Sequence, residues 1–405
     1  MIHADWTYGN LTGPIVGLAM KEIVGRAIAE IRSQQRGFEA NAKLNLHKPD
    51  KEDFVTSADK AAQAIYIKLL KEAFPGFGIV AEENELSMPC TLEGQDLWFS
   101  VDPLDGTKAF IRRQSHGIGT MLALMRGDQV IGAYVGDVMT REIYGFRPGS
   151  NKVHRIVDGQ GEQLVIDNER PFKSQTISLR EELGKYSKMV QIMLQAPDAM
   201  RIDKGYEMTS GSIGIHFARL WKGEIGMIIL VPSTNTPWDL MPILGISEKL
   251  GFEFLTVFGT DRGRRPFRVS RDAQANPNEV FVFHASRRTE IERGLDRLFP
   301  LALRKAATWQ LVFVQKISEI CSQRNHFFFT WPRRRKSKTR RTCTVIIHVV
   351  SKNRVTCAIN ATWGCSICRM RICPVTSESR ISQIPRKNMP RINHFSRRLK
   401  RFGFD

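Results

Sequence analysis

The run Trp98-Phe99-Ser100-Val101-Asp102-Pro103-Leu104-Asp105-Gly106-Thr107 constrains this chain more than any other stretch. Its apolar part reads as a buried strand that stops at a carboxylate. Pro103 has no N–H with which to continue a ladder, and Gly106 permits a tight turn. Two aspartates three positions apart are thereby expected to converge at the mouth of a strand. The turn after them can aim backbone N–H groups at an anion. Clustered carboxylates repel one another unless a cation holds them, and an all-oxygen ligand set suits a hard ion such as Mg²⁺. A plain solvated turn has the same composition, so the rest of the chain must decide.

The chain has 405 residues, enough for two domains and a sizeable core. No run of 18 apolar residues is present, so no membrane span is expected. No basic region followed by an apolar stretch opens the sequence, so no secretory signal is expected, and the reading is cytoplasmic. The net charge of +19 is unevenly placed. Residues 301–405 hold 23 of the 60 basic and 3 of the 41 acidic residues. The first 300 residues are therefore near neutral. Cys90 is the single cysteine there, and the other six begin at Cys321. The first part thus reads as a cytosolic globular protein without a disulfide framework.

Ile15, Ala19, Ile23, Ala27 and Ile31 recur at four-residue spacing and predict an opening helix that ends at Gly37. Thr56 followed by Asp59 is a capping box ahead of Ala62, Ile65, Tyr66, Leu69 and Ala73. Asp59 is accordingly read as a cap, whereas Asp53 has no capping duty. Ile79-Val80-Ala81 is a strand that ends in the acidic pair Glu82-Glu83. After Thr107 an antiparallel meander is expected over 120–125, 130–135 and 142–146. His116 lies between as a loop or core histidine. Residues 147–175 are polar and read as a subdomain boundary.

Beyond them, Met189 to Leu194 reads as a strand. Ser210-Gly211-Ser212 opens a helix whose small residues leave room for a ligand's close approach. Ile225 to Val231 is a buried strand. Thr236-Pro237-Trp238-Asp239 starts another helix, where Asp239 is either a cap or a functional acid. Glu279 to Phe283 is the last strand, and Ser286 caps a helix ending near Pro300.

The tail carries a basic run from Pro332 to Arg341 of the nucleic-acid or nuclear-signal type. Cys365-Ser366-Ile367-Cys368 is a lone pair whose spacing from Cys357 and Cys373 matches no familiar zinc knuckle. With poor periodicity and few acids, residues 301–405 are expected to be a disordered or aberrant appendage, adding nothing to core or catalysis.

Four acidic elements now stand at strand ends or helix starts. Asp53-Phe54-Val55-Thr56-Ser57-Ala58-Asp59, Ala81-Glu82-Glu83, Asp102-Pro103-Leu104-Asp105-Gly106-Thr107 and Trp238-Asp239 resemble, in order and context, the inositol monophosphatase superfamily. Its members are magnesium-dependent, lithium-sensitive phosphomonoesterases, and the resemblance covers about residues 10–300. It implies a mixed α and β fold, a layered α-β-α-β-α sandwich, and a homodimer. It implies subdomains at 1–160, with the metal cluster, and 161–300, completing the site. The basic tail has no counterpart.

Carried over by residue, Glu82, Asp102, Asp105, Asp239 and the Leu104 carbonyl would hold two or three Mg²⁺ ions. Asp53, Glu83 and Thr107 would position and activate a water. Asp105, Gly106, Thr107, Gly211 and Ser212 would face the substrate, a small phosphorylated metabolite. Lys108-Ala109-Phe110-Ile111 resembles the bisphosphate-nucleotidase and histidinol-phosphatase branches. Pro232 stands where inositol phosphatases place a hydroxyl-binding Glu, and Ala81 replaces a common Gly. The rival from another class is a polyanion or nucleic-acid binding protein that uses residues 332–341, with an inactive phosphatase-like fold.

Overall fold

The structure is a computed structural model. It describes residues 6–43, 53–195, 205–257 and 264–296, and in the C-terminal part 327–330, 343–351, 354–363 and 369–373. The chain divides into two compact units, Met1–Ala302 and Leu303–Asp405. The subdomains expected at 1–160 and 161–300 therefore fall within one unit.

A small hairpin, β1 (Thr7–Tyr8) and β2 (Leu11–Thr12), leads into α1 (Gly13–Ser33). α1 buries Val16, Met20, Ile23, Val24, Ala27, Ile28 and Ile31 but leaves Ile15 51% exposed. The expected stripe is corrected at its start for a geometric reason. Each four-residue step overshoots a full turn by roughly 40°, so Ile15 and Ile31 lie on nearly opposite faces. A 3₁₀ turn, Gln34–Arg36, follows α1, and Gly37 is extended rather than a left-handed cap.

β3 (Ala40–Lys43) and β4 (Asp53–Thr56) pair so that Lys43 faces Asp53. α2 (Ser57–Ala73) starts on the expected capping box, with Thr56 accepting from the Ala58 and Asp59 N–H groups and Asp59 accepting from the Thr56 N–H. Next come β5 (Gly78–Ala81), β6 (Leu86–Met88), β7 (Leu97–Asp105) and the short α3 (Thr107–Ile111). The meander follows as β8 (Gly119–Arg126), β9 (Gln129–Asp137) and β10 (Ile143–Phe146). The segment expected as a boundary instead adds a hairpin, β11 (His154–Val157) and β12 (Gln160–Gln163), to the sheet edge. These strands form one eight-stranded sheet, ordered β12-β11-β10-β9-β8-β7-β5-β6.

The second half supplies β13 (Ile177–Leu179), α4 (Lys188–Gln195), β14 (Tyr206–Met208), α5 (Ile213–Trp221) and β15 (Met227–Leu230). After β16 (Ser233–Asn235) come α6 (Pro237–Lys249), β17 (Phe252–Val257) and β18 (Arg264–Pro266). β19 (Gln274–Asn276), β20 (Glu279–His284) and α7, spanning 288–296, complete the unit. The second sheet runs β14-β13-β15-β20-β17-β18, and β16 pairs with β19 apart from it. The strand expected at Met189–Leu194 is the helix α4, which buries Met189, Val190, Ile192 and Met193. A short apolar run fits either period, and here burial on one helical face prevails.

Strand alternation generates the layers. On β7 and β8, Phe99, Val101, Leu122 and Leu124 pack against α1 and α2 through Val16, Val24, Tyr66 and Leu70. The other face carries Trp98, Met121, Ala123 and Met125, which meet Phe217 and Trp221 of α5 and Met241 and Ile243 of α6. Those helices also cover Ile228, Val280, Val282 and Phe254 of the second sheet. That sheet's far face, with Met227, Ile229, Leu255, Phe281 and Phe283, packs against α4 and against Ile291 and Leu295 of α7. The result is the α-β-α-β-α sandwich, with α5 and α6 as the shared middle layer.

In the second unit the described segments are strands. β21 (Phe327–Thr330), β22 (Cys343–Ser351), β23 (Arg354–Trp363) and β24 (Arg369–Cys373) form an antiparallel sheet in that order. The expectation of a structureless tail is corrected for these segments. The β-branched run in Thr344-Val345-Ile346-Ile347-His348-Val349-Val350 gives the physical reason. The basic run 332–341 and Cys365 to Cys368 lie outside the described residues. Among the described residues no helix is long and apolar enough to cross a membrane.

Candidate active site

β7 carries both central aspartates. Its register with β8 shifts between Asp102 and Asp105. Residues three apart on a regular strand face opposite ways, and this irregularity at Pro103-Leu104 restores a shared side. Asp102 and Asp105 accordingly feel each other's charge, and both feel Asp239 at the start of α6. Glu82, at the end of β5, lies within hydrogen-bond reach of Asp102.

Burial dominates the electrostatics. It pushes Glu82 up to about 8, helped by Asp239 and Glu83 and opposed by Lys43. It pushes Asp102 well above the carboxylate range, with Glu82, Asp105 and Asp239 adding to the rise. Asp105 rises to about 6 through burial and Asp239, against the Arg180 cation and the donors on α5. Three acids that resist ionising together make a site that asks for positive charge.

Part of that charge is Lys43, which the sequence reading missed. Its Nζ lies 2.9 Å from Glu82 Oε1, 2.9 Å from Glu83 Oε1 and 3.8 Å from Asp53 Oδ2. Burial favours the neutral amine, but the two glutamates outweigh it and hold Lys43 above its usual range. The pairing of β3 with β4 could have signalled this, since it sets Lys43 opposite Asp53. Gln63 of α2 clamps the Glu83 backbone, donating to its carbonyl at 2.9 Å and accepting from its N–H at 3.0 Å.

The Thr107 hydroxyl donates to Asp59 Oδ1 at 3.0 Å and lies 3.2 Å from the Leu104 carbonyl. Asp59, read from sequence as a cap alone, is therefore also the residue on Thr107. Its capping duty uses Oδ2, which leaves Oδ1 for Thr107. The structure places Asp53 at Lys43, with its Oδ1 on the Phe54 N–H. Glu83 is 5% exposed and also held by Lys43.

Gly106 caps α3 with φ +93°, and a Cβ there would sit 2.4 Å from the Gly117 carbonyl and 2.7 Å from the Ser212 nitrogen. The turn is thus pressed against the start of α5. There Asp105 accepts from the Ser212 hydroxyl and from the Ile213 and Gly214 N–H groups, at 2.5, 3.0 and 2.7 Å. Ser212, expected to face substrate, instead spends its hydroxyl on Asp105 and on capping Ile215. Gly211 lies beside it at φ +93°, its carbonyl held by Arg180 at 2.7 Å. Asp239 is not the cap of α6. Thr236 occupies that position and donates its hydroxyl to Asp239 Oδ2.

Among the described residues no three His, Cys, Asp or Glu side chains close into a formed metal cage. The donor set nonetheless fits a hard cation. Asp102 is 1% exposed, and its Oδ1 has no hydrogen-bond partner. An orphaned carboxylate oxygen among raised acids is the chemistry that Mg²⁺ satisfies.

The profile of the inositol monophosphatase family matches residues 15–287. The chain belongs to that family. Over 148 residues it is 32% identical to the "Nus factor SuhB" of Vibrio cholerae, a stretch of 34% of this chain and 52% of that protein. Over 217 residues it is 24% identical to the inositol-1-monophosphatase of Bacillus subtilis, covering 52% of this chain and 76% of that one. The chain thus spans about half the length of the SuhB relative it matches. In fold it resembles the extragenic suppressor protein suhB of Bartonella henselae, with a TM-score of 0.51 at 17% identity over 69% of this chain and 97% of that one. It also resembles an IMPase/NADP phosphatase solved with NADP and Ca²⁺, with a TM-score of 0.51 at 17% identity, covering 70% and 97%. In this inositol monophosphatase family member Pro232 directly precedes β16, so no side chain there can bind a substrate hydroxyl through a carboxylate.

Proposed function

We propose that this family member is a magnesium-dependent phosphomonoesterase acting on a small phosphorylated metabolite. The observation that carries the reading is the orphaned Asp102 Oδ1, buried beside Glu82, Asp105 and Asp239. Those four carboxylates and the Leu104 carbonyl would hold the metal. Bound Mg²⁺ lowers the pKa of a water and offsets charge on the leaving oxygen.

The chain's own residues do the positioning. The Thr107 hydroxyl, oriented by donation to Asp59, presents its lone pair to an attacking water and fixes where that water sits. Asp59 and Glu83 stand ready as acceptors for the proton that leaves it. The N–H groups opening α3 at Gly106 and Thr107 bind phosphate oxygens, since the first turn of a helix leaves them without intrahelical partners. Lys43 holds Glu82 and Glu83 in place when positive charge is otherwise scarce. Lithium inhibition, a homodimer and a cytoplasmic location belong to the same reading. Pro232 argues for a substrate other than inositol 1-phosphate, with a bisphosphorylated nucleoside or histidinol phosphate ahead of it.

A second reading follows from the SuhB relatives, which are named Nus factors, and from the basic residues 332–341. It makes the chain a nucleic-acid binding protein with an idle site. Phosphate release from a panel of small esters, measured on the full chain with Mg²⁺ and with chelator, decides between them. The enzyme reading expects Mg²⁺-dependent release that falls by orders of magnitude in Asp102→Asn. Absence of release from every ester, together with salt-sensitive RNA binding, would sink it.

A further inference from the structure

The acidic site has two sides, joined by Glu82. On one side Asp102, Asp105 and Asp239 stand close enough to repel one another. On the other side stand Glu83 and Asp53, and the Lys43 ammonium sits between them and Glu82. Its Nζ lies 2.9 Å from Glu82 Oε1, 2.9 Å from Glu83 Oε1 and 3.8 Å from Asp53 Oδ2. Glu82 belongs to both sides, since it is also within hydrogen-bond reach of Asp102. An ordinary surface ion pair joins one cation to one carboxylate. Here one compact point charge is shared among three, which is how carboxylates gather round a metal ion.

The fold builds this ammonium into the site. Lys43 closes β3, and the strand register sets it opposite Asp53, the first residue of β4. β4 runs directly into α2 through the capping box at Thr56. Gln63, on the same helix, clamps the Glu83 backbone. Asp53 and Glu83 are thus both tied to the β4–α2 pair on which β3 is laid. The Lys43 side chain is 22% exposed, so its charge is largely withdrawn from water. A divalent ion on the same carboxylates would have to expel the lysine from two short contacts, because like charges that close repel.

We propose that the Lys43 ammonium is a resident cation that takes the place of one metal ion, so that divalent ions load only on the side of Asp102, Asp105 and Asp239, with Glu82 shared. This rests on the phosphatase reading and deepens it. The substitution changes what that part of the site can do. An ammonium donates N–H groups to oxygen and has no open position for a water. The Lys43 side therefore orients Glu82 and Glu83 and activates nothing itself. Its single charge is also permanent, whereas a bound ion comes and goes with its concentration. Lys43 is accordingly a positioning residue, acting through the two glutamates.

The test counts bound Mn²⁺, a probe that accepts the same oxygen ligands, on the full chain without any ester. Titration calorimetry and the electron-spin signal of free Mn²⁺ both give the count. Lys43→Ala removes the charge and opens room for a hydrated ion, so it should bind one more Mn²⁺ per chain than the parent. Lys43→Arg keeps the charge and should count like the parent. Equal counts for the parent and Lys43→Ala would overturn the inference and leave the phosphatase reading intact. A second measurement uses the unaltered chain and does not depend on how the variants fold. Acetic anhydride labelling, read by mass spectrometry, should modify Lys43 far more slowly than the exposed Lys60, and no faster when saturating Mg²⁺ is added. Faster labelling of Lys43 in Mg²⁺ would mean that the ion displaces the lysine, and would overturn the inference. A parent that binds no Mn²⁺ and releases no phosphate from any ester would remove both readings together.

Discussion

Replacing Lys43 by Met removes the ammonium that bridges Glu82 and Glu83, each at 2.9 Å. Breaking a buried pair from one side costs roughly 3–5 kcal/mol, because the remaining charge is stranded. Here Glu82 keeps 21% and Lys43 22% side-chain exposure, so solvent screens part of that. A proton caps the loss as well. A carboxyl with an ordinary pKa near 4.5 can be protonated at pH 7 for about 3.4 kcal/mol, and at pH 5 for about 0.7 kcal/mol.

The expected destabilisation in chelator is therefore about 2–3 kcal/mol at pH 7 and under about 1 kcal/mol at pH 5. Carboxyls whose folded pKa exceeds the unfolded value lose their stabilising contribution as pH rises through that folded value. The variant should accordingly fall behind the parent between pH 5 and 8. For a unit of this size that is a melting shift of about 3–5 °C at pH 7. Circular-dichroism melts of parent and variant in chelator at both pH values would read it, and saturating Mg²⁺ should narrow the gap. Coincident melts at pH 7, or a gap as wide at pH 5, would refute the reasoning.

Asp59→Asn should lower kcat by about 100-fold or more in phosphate-release assays, beyond the effect of Asp53→Asn, because Asp59 alone of the two touches Thr107. The reverse order would return the role to Asp53. Gly106→Ala should cost about 2–4 kcal/mol in urea unfolding, since its Cβ meets the Gly117 carbonyl at 2.4 Å and the left-handed backbone disfavours any side chain. Arg155→Met tests a pair far from the site. Arg155 holds Glu142 below its usual range, so the pair's stabilisation exists above about pH 4.5 and vanishes as pH falls through the lowered folded value. Parent and variant should differ by about 1 kcal/mol at pH 7 and converge near pH 3.

The acidic elements were legible in the sequence because each sits where an apolar run stops. β7 and β5 announce Asp102 and Glu82 in this way, and a capping box announces α2. What escaped was of another kind. Lys43 is nine residues upstream of the nearest acidic pair, Glu52-Asp53, and only cross-strand pairing brings it to the site. Asp59 was recognised for one carboxylate oxygen, whereas its second oxygen points at a residue 48 positions away. Ser212 was read as room for a ligand, but Asp105 claims its hydroxyl from 107 positions away. Local pattern gives the capping duty of a side chain, and long-range packing gives its other partner. The helix at 188–195 was missed for want of length, since eight residues hold too few turns to separate two periods.

The clamp of Asp105 by the first turn of α5 sets a timetable for this protein. As the chain leaves the ribosome, the eight-stranded sheet can assemble from residues before 164, carrying Glu82, Asp102 and Asp105 with it. Asp105 then waits for Ser212, Ile213 and Gly214, and Asp239 arrives still later on α6. An emerging chain therefore holds an unfinished acidic hollow for the time needed to add some 75 residues, several seconds at about 5–20 residues per second. The acidic cluster is complete only once α6 has been added, and a nascent chain stalled before α6 would hold the first sheet without Asp239.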